Sequence, residues 1–253
     1  KKISIGSGSI KERPLNSTSI QKSLWESILG LFKKSTHKRY LLEFRVTRLK
    51  GDKEGIQTAN LVRALSKQRG ANVEVYHEHV VGESKENNED ISLKSALLSA
   101  RELLEKDNAD LLIWGEISEV GSVINLRFTT RNSYEDHPGS FLTSDRLALP
   151  INFGPELARL LCATAVASVV PSHETQRLLI KPLLLPALDF EQKNQQEPPK
   201  DLTLKDQISI QICYANIIAL IGHYMHDLNL TTKATNLYQE NLDMISKETD
   251  RNT

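Results

Sequence analysis

The chain has 253 residues, 39% of them hydrophobic and 25% charged, and its 32 Lys+Arg balance 32 Asp+Glu. Such a composition is that of a globular protein large enough for one sizeable domain, or a medium one with an appendage. Zero net charge leaves no global field to attract nucleic acid or anionic membrane, and no run of about 18 consecutive apolar residues marks a bilayer span.

Residues 1–17 are rich in Ser, Gly and Lys and read as a flexible arm. Ser19–Lys34 places Ile20, Leu24, Ile28, Leu31 and Phe32 on one helical face, with Trp25 and Leu29 beside it. Lys33, Lys34, Lys38 and Arg39 follow, so the segment 1–38 is an arm plus an amphipathic helix. That helix either packs on the domain or a partner helix, or makes a peripheral membrane contact. The start at Lys1 rather than Met reads as a processed or partial sequence, and any upstream anchor would lie outside it.

Tyr40–Leu49 alternates Leu42, Phe44 and Val46 with polar neighbours and predicts a first strand. Gly51-Asp52 is a turn in which Asp52 can N-cap a helix over about Lys53–Arg69, which Gly70 ends. Val73–Tyr76 is a short strand, Gly82–Asp90 a charged loop, and Ile91–Lys106 an amphipathic helix. Leu111–Trp114 is a continuous apolar run, the pattern of a strand covered on both faces. A sharp turn is expected at Gly115, then a short polar link. Ile124, Leu126 and Phe128 alternate with Val123, Asn125, Arg127 and Thr129 in a returning strand, and an extended segment follows near Ser140–Leu149.

Beyond Pro150 the texture is helical. Phe153–Val170 is an almost uncharged helix ended by Pro171, and Ser172–Phe190 is a second one that Pro182 and Pro186 should break or kink. The buried-helix setting of Cys162 and Cys213 reads as two free thiols in a reducing compartment, since a chain this long needs no staple. Glu191–Leu202 reads as a linker, and Leu204–Asp227 with Thr231–Ser246 as a closing helical hairpin. The expected fold is therefore α/β: a mixed sheet of βαβαβ followed by antiparallel strands, with a helical buttress and a C-terminal helical hairpin. The expected divisions are 1–38, 39–190, a linker at 191–202, and 203–253.

Chemistry is sparse. The first strand-to-helix turn, Lys50–Gly55, has neither G-x-G-x-x-G nor a P-loop Gly-Lys-Ser/Thr, and Asp52 and Glu54 there would repel phosphate. His77 and His79, with Glu78 and Glu83 nearby, are too few for a zinc site. His223, His226 and Asp227 lack the spacing of a zinc-protease helix. No Gly-x-Ser-x-Gly elbow occurs, and neither cysteine has a basic, exposed setting. Glu116 is the best single functional carboxylate, because ligands of open α/β sheets gather at the carboxyl ends of strands. Arg127 could pair with it across the hairpin. Asp52, Glu116 and Arg127 are thus the candidates for a small-ligand or nucleotide-responsive site, or a hydrolase. No catalytic residue, cofactor or metal is assigned. Nucleic acid is not expected as a partner, because basic residues are interleaved with acids and lack an aromatic platform.

Three segments carry a resemblance: Gly51-Asp52, Asp110–Gly115 (Asp-Leu-Leu-Ile-Trp-Gly) and Leu126-Arg127-Phe128, followed by Leu149–Phe153 and its apolar helix. They resemble the N-terminal α/β domain, of TolB-N or CsgG-like type, that precedes the repeats in bacterial tetratricopeptide-repeat proteins. Tyr214–Gly222, with Ala234, Tyr238 and Leu242, resembles the opening repeat unit. The resemblance spans roughly residues 40–248. It implies envelope assembly and protein contact rather than catalysis, although one repeat is fewer than the three or so a free-standing solenoid needs.

The function expected on this basis is a non-enzymatic protein-interaction or sensor module. Its partner is a protein, or a second copy, docked through the C-terminal helices by Ile217, Ile218, Ile221, Tyr238 and Leu242. The expected location is cytoplasmic, with membrane association through residues 19–34 as the alternative. Truncation at about residue 200 should leave the α/β domain folded.

Overall fold

The computed structural model describes residues 42–76, 80, 89–118, 122–130, 146–171, 174–190 and 202–251. The arm and amphipathic segment at 1–38, His77, His79, Glu83 and the linker residues 191–201 lie outside the described residues.

The elements run β1 (Leu42–Thr47), α1 (Ile56–Leu65), β2 (Ala71–Tyr76), α2 (Glu89–Asp107), β3 (Leu111–Ile117), β4 (Val123–Thr130) and β5 (Leu147–Pro150). Helices α3 (Pro155–Ser168), α4 (Glu174–Leu184), a 3-10 turn (Leu185–Asp189), α5 (Leu204–Met225) and α6 (Leu228–Arg251) follow. The fold is α/β, with one five-stranded mixed sheet in the order β2-β1-β3-β4-β5. β1 pairs in parallel with β2 (Phe44 opposite Val73) and with β3 (Phe44 opposite Leu111). β3–β4 and β4–β5 are antiparallel.

From β1 the chain crosses first to one side and then back past β1 to the other. Two right-handed crossovers in opposite directions put their helices on opposite faces of the sheet. The packing follows. Leu61 and Leu65 of α1 share the main core with Phe44, Val46 and Ile113, whereas Ala96, Ala100 and Leu104 of α2 form a smaller core with Leu112 and Trp114. This explains why Leu111–Trp114 carries no polar alternation: successive side chains enter different cores. Trp114 buries its indole and donates its N–H to Thr129 Oγ1 at 2.9 Å.

Gly115 is not a turn. The strand runs through it to Ile117, with Gly115 opposite Leu126. A Cβ there would stand 1.9 Å from the Asn125 carbonyl oxygen, so glycine is required by the closeness of the neighbouring backbone. Asp52 is not the N-cap of α1 either. That position is Gly55, at φ 72° with no side-chain cap, while Asp52 reaches in from three residues earlier. α1 closes at Leu65, so Gly70, at φ 81°, belongs to the turn into β2 rather than to the helix end.

The expected break at Pro182 is absent. α4 carries Pro182 inside it and tightens into the 3-10 turn around Pro186. α5 begins with a capping box: Thr203 Oγ1 accepts the Asp206 N–H at 3.2 Å, and Asp206 Oδ2 accepts the Thr203 N–H at 3.2 Å. Ile210, Cys213, Tyr214, Ile217, Ile218 and Ile221 then enter the main core beside the sheet and α3. Ser209 Oγ donates to the Arg146 carbonyl, and the Arg146 guanidinium lies 2.9 Å from Asp206. The hairpin expected as a separate unit at 203–253 is therefore built into the α/β core, because its first helix is apolar enough to complete the wall of the sheet. α5 is also the one helix among the described residues long and apolar enough to cross a bilayer, and its apolar surface is spent on this packing.

Candidate functional site

The carboxyl ends of β1 and β3 meet where the strand order reverses, the place where open sheets admit ligands. Here the gap is closed. The Lys50 N–H donates to the Gly115 carbonyl at 3.0 Å, and the Ile117 N–H to the Lys50 carbonyl at 2.9 Å, continuing the ladder past the end of β1. Glu116 points outward, with Lys50 Nζ 3.6 Å away and both side chains largely exposed, a pair that screening leaves weak.

Asp52 is turned the other way. Its side chain is buried, and Oδ2 accepts both the Thr58 N–H and the Thr58 hydroxyl at 2.7 Å. Burial pushes its carboxyl up, but hydrogen bonds from Thr58 and Gln57 and the nearby Arg48 charge outweigh that and hold it below the ordinary value. The Arg48 guanidinium donates in turn to the carbonyls of Asp52 and Lys53. Asp52 thus fastens the β1–α1 turn. The register sets Arg127 opposite Trp114 rather than Glu116, with its guanidinium 5.9 Å over the indole ring. Asp52, Glu116 and Arg127 do not converge on one site.

The residues expected to receive a partner divide in two. Ile217, Ile218 and Ile221 are buried in the core and present nothing outward. Tyr238 packs against that core and donates its hydroxyl to Asn216 Oδ1. Leu242 is 56% exposed, and on the same helix Ile245 is 43% and Leu228 81% exposed. The docking seam of the sequence reading is therefore mostly the inside of the hairpin, and its open face is on α6.

His226 occupies the left-handed cap position after α5, at φ 53° and ψ 38°, and Asp227 Oδ1 accepts the N–H groups of Asn229 and Leu230 at the start of α6. These residues make the interhelical turn. Among the described residues no three His, Cys, Asp or Glu side chains are grouped to hold a metal. Both cysteines are buried and free, and burial pushes the Cys162 thiol up to about 12, which keeps it protonated and unreactive near neutral pH.

One buried polar cluster was not anticipated from the sequence. Arg45, only 7% exposed, lies 3.2 Å from Glu43 and 3.3 Å from Glu74 and is hydrogen-bonded to Asp107 at the end of α2. Burial disfavours its charge, but the surrounding carboxylates more than restore it. The signal was present: Arg45 pairs in register with Glu74, so alternate positions of β1 and β2 carry complementary charge rather than a wet face. This cluster ties both strands to α2, and its donors and acceptors are spent on one another.

Comparison with protein-family models, with curated proteins and with solved structures finds no match to this chain.

Proposed function

We propose that the chain is a non-enzymatic protein-interaction module in which the sheet and its helices form a rigid platform and the outer face of α6 takes a partner helix. The observation that carries this reading is the exposure of three large apolar side chains, Leu228, Leu242 and Ile245, on a 24-residue helix whose Ala234, Leu237 and Asn241 are seated on α5. Large apolar side chains left exposed on a helix are the usual mark of a protein contact. The resemblance to a tetratricopeptide opening unit supports the same choice of face, since a following helix would stack there. The ligand reading at Asp52 and Glu116 gains no support, because one carboxylate is committed to a turn and the other lies in solvent.

The test uses the intact chain and a Leu242→Asp/Ile245→Asp variant with unchanged circular dichroism. Sedimentation over a concentration series measures self-association, and affinity capture followed by rebinding of the purified protein measures a heterologous partner. Association lost at least tenfold in the variant supports the reading. Association that survives the two aspartates, or none in either experiment, overturns it.

A further inference from the structure

A cleft of about 720 Å³ lies between the end of α1, the start of α3 and the end of α4. Its cations are Arg63 from the last turn of α1, Lys67 just past the end of that helix, and Arg159 from the facing helix α3. No Asp or Glu lines it, although the chain as a whole carries equal numbers of acids and bases. Among the described residues no ion pair engages these three side chains. Asn60 accepts an Arg63 hydrogen bond at 3.1 Å, which orients the guanidinium and leaves its other donors for a ligand.

Two further features set the character of the site. α3 opens into the cleft at Gly154-Pro155 with no side chain capping it, so the positive end of a 14-residue helix adds to the field of the three cations. Glu156 of that first turn does not line the cleft, but its Oε2 would stand 3.5 Å from a Cβ at Gly154. It offsets part of the helix-end field, and the three cations carry most of it. The remaining wall combines the polar Gln68 and Asn152 with an apolar surface of Phe153, Ile151, Leu183 and Pro186. Small-ligand sites of this size, roughly 300–1,000 Å³, combine such a surface with a few converging polar groups.

We propose that this cleft binds an organic phosphate, its phosphoryl oxygens on Arg63, Lys67 and Arg159 and its organic portion against Phe153 and Leu183. Three cations exceed what a single carboxylate requires, and the fork of two guanidiniums suits tetrahedral oxyanions that accept paired hydrogen bonds. The organic portion follows from the apolar wall, which inorganic phosphate would leave unused. A nucleic-acid polymer would require a longer basic track than this group of three offers. The site is independent of the α6 face, so either assignment can fail without the other.

The test is calorimetric titration of the intact chain, at low and at physiological salt, with ADP, inorganic pyrophosphate and citrate as probes. ADP should bind most tightly, pyrophosphate more weakly, and citrate least, with affinity falling as salt rises. Arg159→Gln and Arg63→Gln, both exposed positions, should each weaken ADP at least tenfold with unchanged melting temperature of the free protein. Phe153→Ala should bring ADP down to the level of pyrophosphate. Absence of binding by both phosphates, citrate matching pyrophosphate, ADP no tighter than pyrophosphate, or affinity indifferent to the arginine variants would each overturn the assignment.

Discussion

Asp52 shows how one side chain can be read correctly as a helix-start residue and still be misplaced. An acid beside Gly51 at a strand-to-helix turn has the composition of a cap, and its carboxylate does receive the Thr58 N–H of α1. It does so from outside the helix, because Gly55 at φ 72° turns the chain once more before α1 begins. Its depressed carboxyl has a pH consequence. A group held below its unfolded value, about 3.9 for Asp, contributes fully above that value and loses its contribution as pH falls through the folded one. Asp52→Asn should therefore cost about 1 kcal/mol near pH 7. In urea unfolding the gap to the wild type should close below about pH 4, and a gap that stays constant down to pH 3 would contradict the linkage. Gly115 was expected as a turn, and only the register with β4 reveals the Asn125 carbonyl that excludes a Cβ. Arg45 and Glu74 were legible as complementary charges on neighbouring strands, but not their burial, since alternation alone cannot tell a solvated face from one closed by a helix.

Among the elements, the α5–α6 hairpin is held by contacts that local sequence states well. Its entry is the Thr203–Asp206 capping box, and its turn is His226-Asp227. Gly222 lies where the helices converge, and a Cβ there would approach the Thr231 nitrogen to 3.0 Å and the Asp227 oxygen to 3.2 Å. The weak point is His226, whose left-handed conformation costs an L-residue about 1 kcal/mol and suits glycine. Being exposed, its imidazole should be dispensable. His226→Gly should raise the unfolding free energy by about 0.5–1 kcal/mol in denaturant titration. A loss instead would mean that the imidazole makes a stabilising contact. The hairpin pattern itself was readable from periodicity. Which face is inside was not, because α5 is apolar nearly all round and offers no polar stripe to orient it.

For the molecule as a whole, the seating of α5 decides whether the chain can be divided. Fully burying one large apolar side chain stabilises by about 1.5–3 kcal/mol, and α5 contributes Ile210, Ile217, Ile218 and Ile221 to the core. Their sum is of the order of the entire 5–15 kcal/mol that a domain has. A chain ending at residue 202 should therefore lose its cooperative thermal transition and bind a hydrophobic dye, reversing the expectation that the α/β part folds alone. A sharp transition retained by that truncated chain would restore the two-domain view. The same seating keeps three of the five residues expected to dock a partner out of reach and leaves α6 as the outer layer.

The sequence by itself determined the secondary-structure order, the parallel-then-antiparallel sheet, the closing hairpin and the buried thiols. All of these follow from short-range periodicity, and from crossover rules that do not depend on which surfaces finally meet. Tertiary structure alone decided that Glu116 stays solvated while Asp52 turns inward, that Arg45 is enclosed by carboxylates, and that Ile217, Ile218 and Ile221 belong to the sheet's core. It also gathered Arg63 and Lys67 with Arg159 around one cleft, a grouping with no trace in local sequence because Arg159 lies nearly a hundred residues from the other two. The physical reason is common to all of these: residue type fixes what a side chain can bond, but its neighbours, and hence its charge and exposure, are set by contacts between elements remote in the chain.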